Sequence, residues 1–307
     1  MNTAASTPAS TLYLIDASMY VFRAWHSMPD AFFDVDGNPV NAVHGFARFL
    51  LDFTERTRAR HAVAAFDIAL TSSFRNVIYP AYKANREPAP PELKRQFEYC
   101  RELAAACGFA VLADATYEAD DLIGSVMHAS RDRGFLSVIV SADKDFGQLL
   151  ADGAEQWDYA RGQRWGAAGV PARLGVEARQ VVDYLALTGD ATDNIPGVPG
   201  IGAKSAAALL AHFGDLENLL ARVDEVPFLR LRGAASLAAK LRTHAGQARL
   251  SQQLARIALD APVPAHPDGL LRSAPDFVAL DALFERLKIG PMTRTRARQV
   301  LQLEPAT

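Results

Sequence analysis

Short apolar runs recurring between helix-length amphipathic stretches constrain this chain more than any other feature. The runs are TLYLID (11–16), AVAAFD (62–67), FAVLA (109–113) and LSVIVSAD (136–143). Between them, Asn41 to Arg58, Pro91 to Ala106 and Ala119 to Arg133 carry helical periodicity. Strands separated by helices are joined by crossovers rather than hairpins, so this alternation predicts an α/β fold with a mostly parallel central sheet flanked by helices. Past about residue 175 the strand signals fade, and short helical segments broken by Gly and Pro take over. The expected organisation is a loose tail over residues 1–10, an α/β core over 11–175 and a helical region over 176–307. Within the core, 69–95 is a poorly periodic insertion rich in Pro that carries Arg75, Lys83 and Arg86. A long insertion of this kind is functional or mobile; a solvated surface loop is the plainer reading.

Three of the four expected strands end in an aspartate: Asp16, Asp67 and Asp143. In an open α/β sheet the ligand crevice lies beyond the carboxyl ends of the strands, so these acids should converge. YEADD adds Glu118, Asp120 and Asp121 at a helix start, SADKD adds Asp145, and TGDATDN adds Asp190 and Asp193. Singly, each is explained as a helix cap or a partner for the helix dipole. Together, nine acids at one crevice would repel strongly without cations between them. Hard cations such as Mg²⁺ take oxygen ligands, and two ions suit in-line displacement at phosphorus. No His-x-x-x-His or paired-Cys pattern competes for zinc, and DVDGN (34–38) reads as a turn rather than a calcium loop.

The net charge of −3 over 307 residues excludes a generally basic nucleic-acid coat; without the nine acids it would be +6. No apolar stretch is long enough for a membrane span, and the N-terminus lacks the positive region of a signal peptide. Cys100 and Cys107 lie seven residues apart on one expected helix, roughly 10.5 Å along its axis, too far for a disulfide. A reducing, cytoplasmic compartment is expected.

GVPGIGAKSA (197–206) has the form of a helix–hairpin–helix, whose hairpin is expected within about 194–213. Gly200 and Gly202 would let a phosphate approach the backbone at a helix N-terminus, with Lys204 as a nearby charge; a tight turn without a ligand is the alternative. Such contacts grip duplex backbone without reading sequence. Between Arg222 and Arg256, seven Lys or Arg face two acids, and Arg294, Arg296 and Arg298 cluster further on; both segments read equally as basic tracks or solvated helical faces.

The ordered set Asp16, Asp67, YEADD, SADKD, TGDATDN and GVPGIGAK closely resembles the flap endonuclease and 5′–3′ exonuclease family. It is most similar to the bacterial and phage branch, including the nuclease domain at the front of bacterial DNA polymerase I. No polymerase region follows in this sequence, so the chain reads as a stand-alone enzyme or an excised domain. SFRNVIYPAYKANR resembles the family's helical arch, and FERLKIG the end of its nuclease domain.

The resemblance implies a structure-specific 5′ nuclease acting on DNA with 5′ ends, flaps or branches, using two Mg²⁺ ions with Mn²⁺ as substitute. Asp16, Asp67, Glu118, Asp120 and Asp143 would surround the first metal, with Asp121 close by. Asp145, Asp190 and Asp193 would form the second site, sharing Asp143. Lys83 and Arg86 match the arch-base cations, Tyr82 would stack on an unpaired base, and Arg75 would hold backbone phosphate. The hairpin would carry K⁺ as an accessory ion. A monomer with nucleoid-associated activity, serving replication and repair, is the implied setting. Ala17 stands where many relatives have Gly, which alters backbone freedom rather than metal ligation. The rivals are a non-catalytic branched-DNA binder, which the intact acid set disfavours, and a ribonuclease of the related acid-cluster fold, which would lack the hairpin.

Overall fold

The computed structural model describes residues 10–68, 72–264 and 266–305. All of the expected tail except Ser10 lies outside them, and so do residues 69–71 of the expected arch. Six strands occur in chain order among the described residues: β1 Ser10–Asp16, β2 His61–Asp67, β3 Ala110–Asp114, β4 Phe135–Val140, β5 Glu155–Asp158 and β6 Gln163–Trp165. The helices are α1 Ala17–Ser27, α2 Asn41–Thr57, α3 Phe74–Ile78, α4 Pro91–Ala106, α5 Ala119–Ser130, α6 Val170–Leu174, α7 Val181–Thr188, α8 Ala203–Phe213, α9 Leu216–Ala221, α10 Ala234–Thr243, α11 Ala245–Ala255, α12 Phe277–Arg286 and α13 Pro291–Leu301. By contact the chain forms two interleaved units. The first takes residues 1–70, 88–141 and 258–307, and the second takes 71–87 and 142–257.

In the first unit, β3, β2, β1 and β4 lie side by side in that order, all parallel. The chain builds outward from β1 through β2 to β3, then returns to the other side of β1 for β4. That reversal is the switch point where open α/β sheets place their ligand crevice. β2 is buried along all but its last residue, as its continuous apolar run requires of an interior parallel strand. α5 packs across β1, β2 and β3, while α1, α2 and α4 pack on one another and on the strands. Leu14, Ile15, Phe46, Phe53, Phe66, Ile123 and Val138 are completely buried between these layers. Val40 supplies no side-chain cap to α2. Buried Gln96 of α4 does so instead, its Oε1 accepting from Ala42 N at 2.7 Å and Val43 N at 3.3 Å.

The strand ends depart from the expectation in one respect. β4 stops at Val140, so Asp143 belongs to the following loop, where it caps a 3-10 turn over Lys144–Asp152. The third strand-end acid is Asp114 on β3, in register with Asp67. Two strands escaped notice, β5 and β6, an antiparallel hairpin in the second unit. Counted over both units, the strand pairing is mostly parallel.

The second unit is otherwise helical. α7, α8 and α11 enclose Leu185, Leu187, Leu209, Leu210 and Leu254. Between 72 and 90 the only helix among the described residues is the five-residue α3, which Ser73 caps; the last expected arch residues, 91–95, begin α4. Turns and extended chain then run to Pro90.

Candidate functional site

The nine acids fall into two sets, one on each unit. The first set hangs on the parallel strand ends and the start of α5. Asp16 caps α1, accepting from Met19 N at 3.2 Å on one carboxylate oxygen and from the buried Ser141 hydroxyl at 2.9 Å on the other. The register that sets Ile15 beside Val140 brings Ser141 to that position. Asp67 Oδ1 accepts from Ala119 N at 2.8 Å, joining the end of β2 to the first residue of α5. Glu118 and Asp121 form a reciprocal capping box at the N-terminus of α5, and Asp120 Oδ1 accepts from Asp121 N at 2.8 Å.

Asp121, expected close to the first metal, caps the start of α5. It is fully buried, and its two oxygens accept from Glu118 N at 3.1 Å and Ala258 N at 2.8 Å. The structure gives it a capping role, because backbone donors that would otherwise be buried unsatisfied claim both oxygens.

The second set is Asp143, Asp145, Asp190 and Asp193, and here charges oppose charges. Asp143 Oδ1 accepts from Asp145 N at 3.0 Å, while one Asp145 oxygen is buried with no hydrogen-bond partner. Burial and the neighbouring Asp143 carboxylate push Asp145 up to about 8. Asp143 is also raised, chiefly by desolvation although its surface meets solvent, and further by Asp193 and Asp190. Lys144 stands between them in sequence and turns to Asp190 at 2.5 Å. Burial works against the Lys144 charge, yet Asp190, Asp145 and Asp143 hold its pKa above the ordinary value. Burial likewise opposes ionisation of Asp190, but the bond from Lys144 outweighs it and lowers the pKa. Lys144 was missed in the sequence, although a lysine flanked by two acids was itself a signal.

Asp193 receives the arch base. Arg86 pairs with its Oδ1 and donates Nε to Thr192 O at 3.2 Å. Lys83 Nζ lies 3.8 Å from Oδ2, and the Lys83 amide donates to Asp193 O at 3.0 Å. Asn194 returns a bond to Ala81 O at 2.6 Å. Lys83 and Asn194 both sit at positive φ, 55° and 56°, a conformation that only surrounding contacts make tolerable for non-glycine residues.

Two arch residues are corrected. Arg75 is 1% exposed, with Nε on Leu254 O at 2.8 Å and Nη2 on Arg256 O at 3.0 Å, so its guanidinium ties helix ends together instead of facing phosphate. Tyr82 is also buried, its hydroxyl on Asp193 Oδ2 at 3.2 Å and its ring beneath Lys83 Nζ at 5.1 Å. Its ring face is therefore spent on packing rather than open to a base.

The hairpin is built by close backbone approach. A Cβ on Gly197 would stand 2.3 Å from Gly189 N, so no other residue fits there. Val198 N bonds Leu187 O at 2.8 Å, and Gly197 N bonds the Ser251 hydroxyl at 3.0 Å. Gly200 adopts φ +76° beside Lys240, whose Nζ reaches Gly200 O at 3.4 Å. Around Gly202, which starts α8, a Cβ would meet nothing within 4 Å. No acid and no side-chain cap occupies that first turn, and Lys204 is exposed there. An uncapped helix N-terminus with open approach suits an anion.

Of the two basic segments, the C-terminal one is absorbed internally. Arg296 pairs with Glu55 at 2.6 Å, Arg298 with Asp281, and Arg294 donates to Ile289 O at 2.7 Å. Between 222 and 256, Arg222, Arg242 and Arg249 pair with Glu225, Asp224 and Glu217. Cys100 and Cys107 are both free and buried, and burial raises both thiols. DVDGN is a turn in which Asp34 Oδ1 accepts from Asp36 N and Asn38 N.

Among the described residues, no three His, Cys, Asp or Glu side chains are gathered tightly enough to form a ready-made metal cage, and no helix is long and apolar enough to cross a membrane. The donor set nonetheless fits a hard cation. It is all carboxylate, with one Asp145 oxygen orphaned and Asp145 pushed up to about 8, chiefly by burial.

Comparison with known proteins agrees with this reading of the fold. The phage T5 5′-exonuclease, solved with bound zinc, superposes with TM-score 0.65 at 19% identity over 95% of this chain and 98% of that one. The catalytic core of Rad2 in complex with DNA superposes with TM-score 0.64 at 14% identity, over 96% and 92%. At such identities these likenesses define the class, a 5′ nuclease fold. The model for the 5′-3′ exonuclease N-terminal resolvase-like domain matches residues 11–175, and that for the 5′-3′ exonuclease C-terminal SAM fold matches 176–277. The chain belongs to the 5′–3′ exonuclease family. DNA polymerase I of Pseudomonas aeruginosa is 38% identical over 278 residues, 90% of this chain and 30% of that protein. The chain spans about a third of the length of the curated relatives it matches.

Proposed function

We propose that this chain is a structure-specific 5′ nuclease that hydrolyses DNA phosphodiesters with two divalent ions, Mg²⁺ or in its place Mn²⁺. The observation that carries the reading is the second acid set, where Asp143 and Asp145 repel each other and Asp145 keeps an unpartnered buried oxygen. Asp16, Asp67, Glu118 and Asp120 would hold one ion, and Asp143, Asp145, Asp190 and Asp193 the other. Bound there, the ions supply water activation and stabilise the leaving oxygen.

The protein's own groups do the rest. Lys83 and Arg86, held at Asp193, would transfer their charge to the scissile phosphate as it enters. Ser141 would fix the Asp16 carboxylate, and the capping box would fix Glu118. The open N-terminus of α8, with Lys204, would grip duplex phosphate, and K⁺ at the hairpin carbonyls would add to that grip. In this reading residues 11–175 form the nuclease core and 176–307 the DNA-binding region of a monomer.

The test is cleavage of a 5′-labelled flap duplex with Mg²⁺, beside EDTA, Asp143→Asn and a matched RNA flap. Metal-dependent cutting near the DNA junction, lost in the variant, is expected. Tight binding without cutting in Mg²⁺ or Mn²⁺ would overturn the assignment in favour of a branched-DNA binder.

A further inference from the structure

One cleft of the second unit meets the acid set described above through Lys144. It is a small, half-open cleft with a volume of about 160 Å³, room for part of a small ligand rather than for one fully enclosed. Its lining includes apolar Ala142, Gly147, Val170 and Leu174. One wall is a stacked pair, the Arg173 guanidinium lying 3.4 Å from the centroid of the Trp165 ring, with Arg173 Nη2 also bonded to Gln163 Oε1 at 3.1 Å. Lys144, whose ammonium pairs with Asp190, and Arg161 complete a basic lining. The single acid of the lining, Asp158, is buried and neutralised by Arg161 through its amide and its guanidinium, both at 3.1 Å. The Arg161 side chain is 73% exposed, and only its Nη1 is bonded to buried Asp158, so the rest of the guanidinium faces solvent.

We propose that this cleft is a subsite for one unpaired nucleotide, its base against the Trp165–Arg173 pair and the apolar lining and its phosphate among Lys144, Arg161 and Arg173. The assignment rests on the nuclease reading and adds to it where a single-stranded residue is held. Aromatic faces and guanidinium planes are the surfaces on which single-stranded bases stack without sequence preference. Position supports it as well. Lys144 lies between Asp143 and Asp145 in the chain, and Gln156 of the lining donates to Asp143 O at 2.5 Å. A nucleotide in the cleft is thereby tied to the loop bearing the second acid set.

The experiment uses the full chain in EDTA, where no cleavage intervenes. Deoxycytidine 5′-monophosphate and inorganic phosphate are titrated against tryptophan emission. A flap duplex with an abasic residue placed in turn at each position near the junction is titrated for affinity. The monophosphate should change the emission saturably where inorganic phosphate does not, and Trp165→Leu should abolish the change. One abasic position should weaken wild-type binding about tenfold, the scale of a lost base stack. That penalty should vanish in Trp165→Leu and persist in Trp165→Phe, which also shows that the cleft still folds. Equal response to phosphate and nucleotide would make the site an anion pocket only and overturn the proposal, as would an abasic penalty at no position or one that survives in Trp165→Leu. Wild-type cleavage in Mg²⁺ runs alongside. Cutting without the abasic penalty removes the subsite and leaves the nuclease reading standing. Failure to bind or cut the flap removes both.

Discussion

The two acid sets are made of the same side chains and solve opposite problems. On the first unit, Asp16, Asp67, Glu118 and Asp121 accept from backbone amides and from the Ser141 hydroxyl, donors fixed by strand ends and a helix N-terminus. Neutral donors stabilise each carboxylate where it stands. On the second unit the acids face one another, and Lys144, Lys83 and Arg86 serve as counter-charges from the chain itself. Asp145 is left with neither donor nor cation on one oxygen. The first set is therefore preorganised, and the second is electrostatically unfinished.

If that contrast is functional, the largest effect belongs to the unfinished set. Asp143→Asn should reduce flap cleavage on the order of a thousandfold or more while duplex affinity stays near wild type, measured by single-turnover cutting and by binding in EDTA. Normal turnover would mean that this set is not the reacting centre. Next comes Lys83→Ala, which should lower turnover about ten- to a hundredfold and duplex affinity far less. The reverse split would make Lys83 a plain phosphate anchor and leave Arg86 alone at Asp193.

Periodicity was enough to read β1 to β4. The strands β1 and β2, buried in the sheet interior, are continuous apolar runs. Edge strand β3, only half-buried, is still a short apolar run bounded by turns. Asp16 and Asp67 stand at strand ends and Glu118 and Asp120 open α5, while Asp143 lies in a loop and Asp190 and Asp193 in a turn after α7. What escaped depends on distant chain. Arg75 looks like a surface cation in a polar insertion, and only the carbonyls of Leu254 and Arg256 show that it belongs inside. Asp121 is indistinguishable in sequence from Asp120 beside it, and the amide of Ala258 decides its role. β5 and β6 are four and three residues long, too short for alternation to declare itself. Asp114 was passed over because the run FAVLA ends one residue before it.

The capping role of Asp121 makes a third prediction on the preorganised side. Asp121→Ala leaves Glu118 N and Ala258 N without their acceptors and should cost about 2–3 kcal/mol in urea unfolding. Asp120→Ala, which removes the local acceptor of Asp121 N, should cost about 1 kcal/mol or less. Equal costs would erase the distinction between cap and candidate ligand at the start of α5.

The smallest effect, a pH dependence of stability without metal, tests the unfinished set most directly. Asp145 ionises near its ordinary 3.8 in the unfolded chain but at about 8 in the folded protein. Between those values the folded state holds a proton that the unfolded state has lost, so stability should fall as pH rises from about 4 to about 8 and level off above. Asp143 is shifted in the same direction. Asp190, whose pKa is lowered, changes stability only around and below its ordinary 3.8, and Lys144, raised above 10.5, stays charged throughout the window. His44 and His61, lowered by burial, work the other way around and below 6.5, so the wild-type curve alone is a sum of opposing slopes. Subtracting the curve for Asp145→Asn isolates the carboxylate. In EDTA the wild type should lose on the order of 1–2 kcal/mol relative to that variant between pH 5 and 8, well under the full linkage because the site relaxes and admits water. Saturating Mg²⁺ should flatten or invert the difference, since a bound cation favours the ionised carboxylates. A difference that ignores pH in EDTA would mean that Asp145 is already ionised and satisfied, and the two acid sets would then be alike after all.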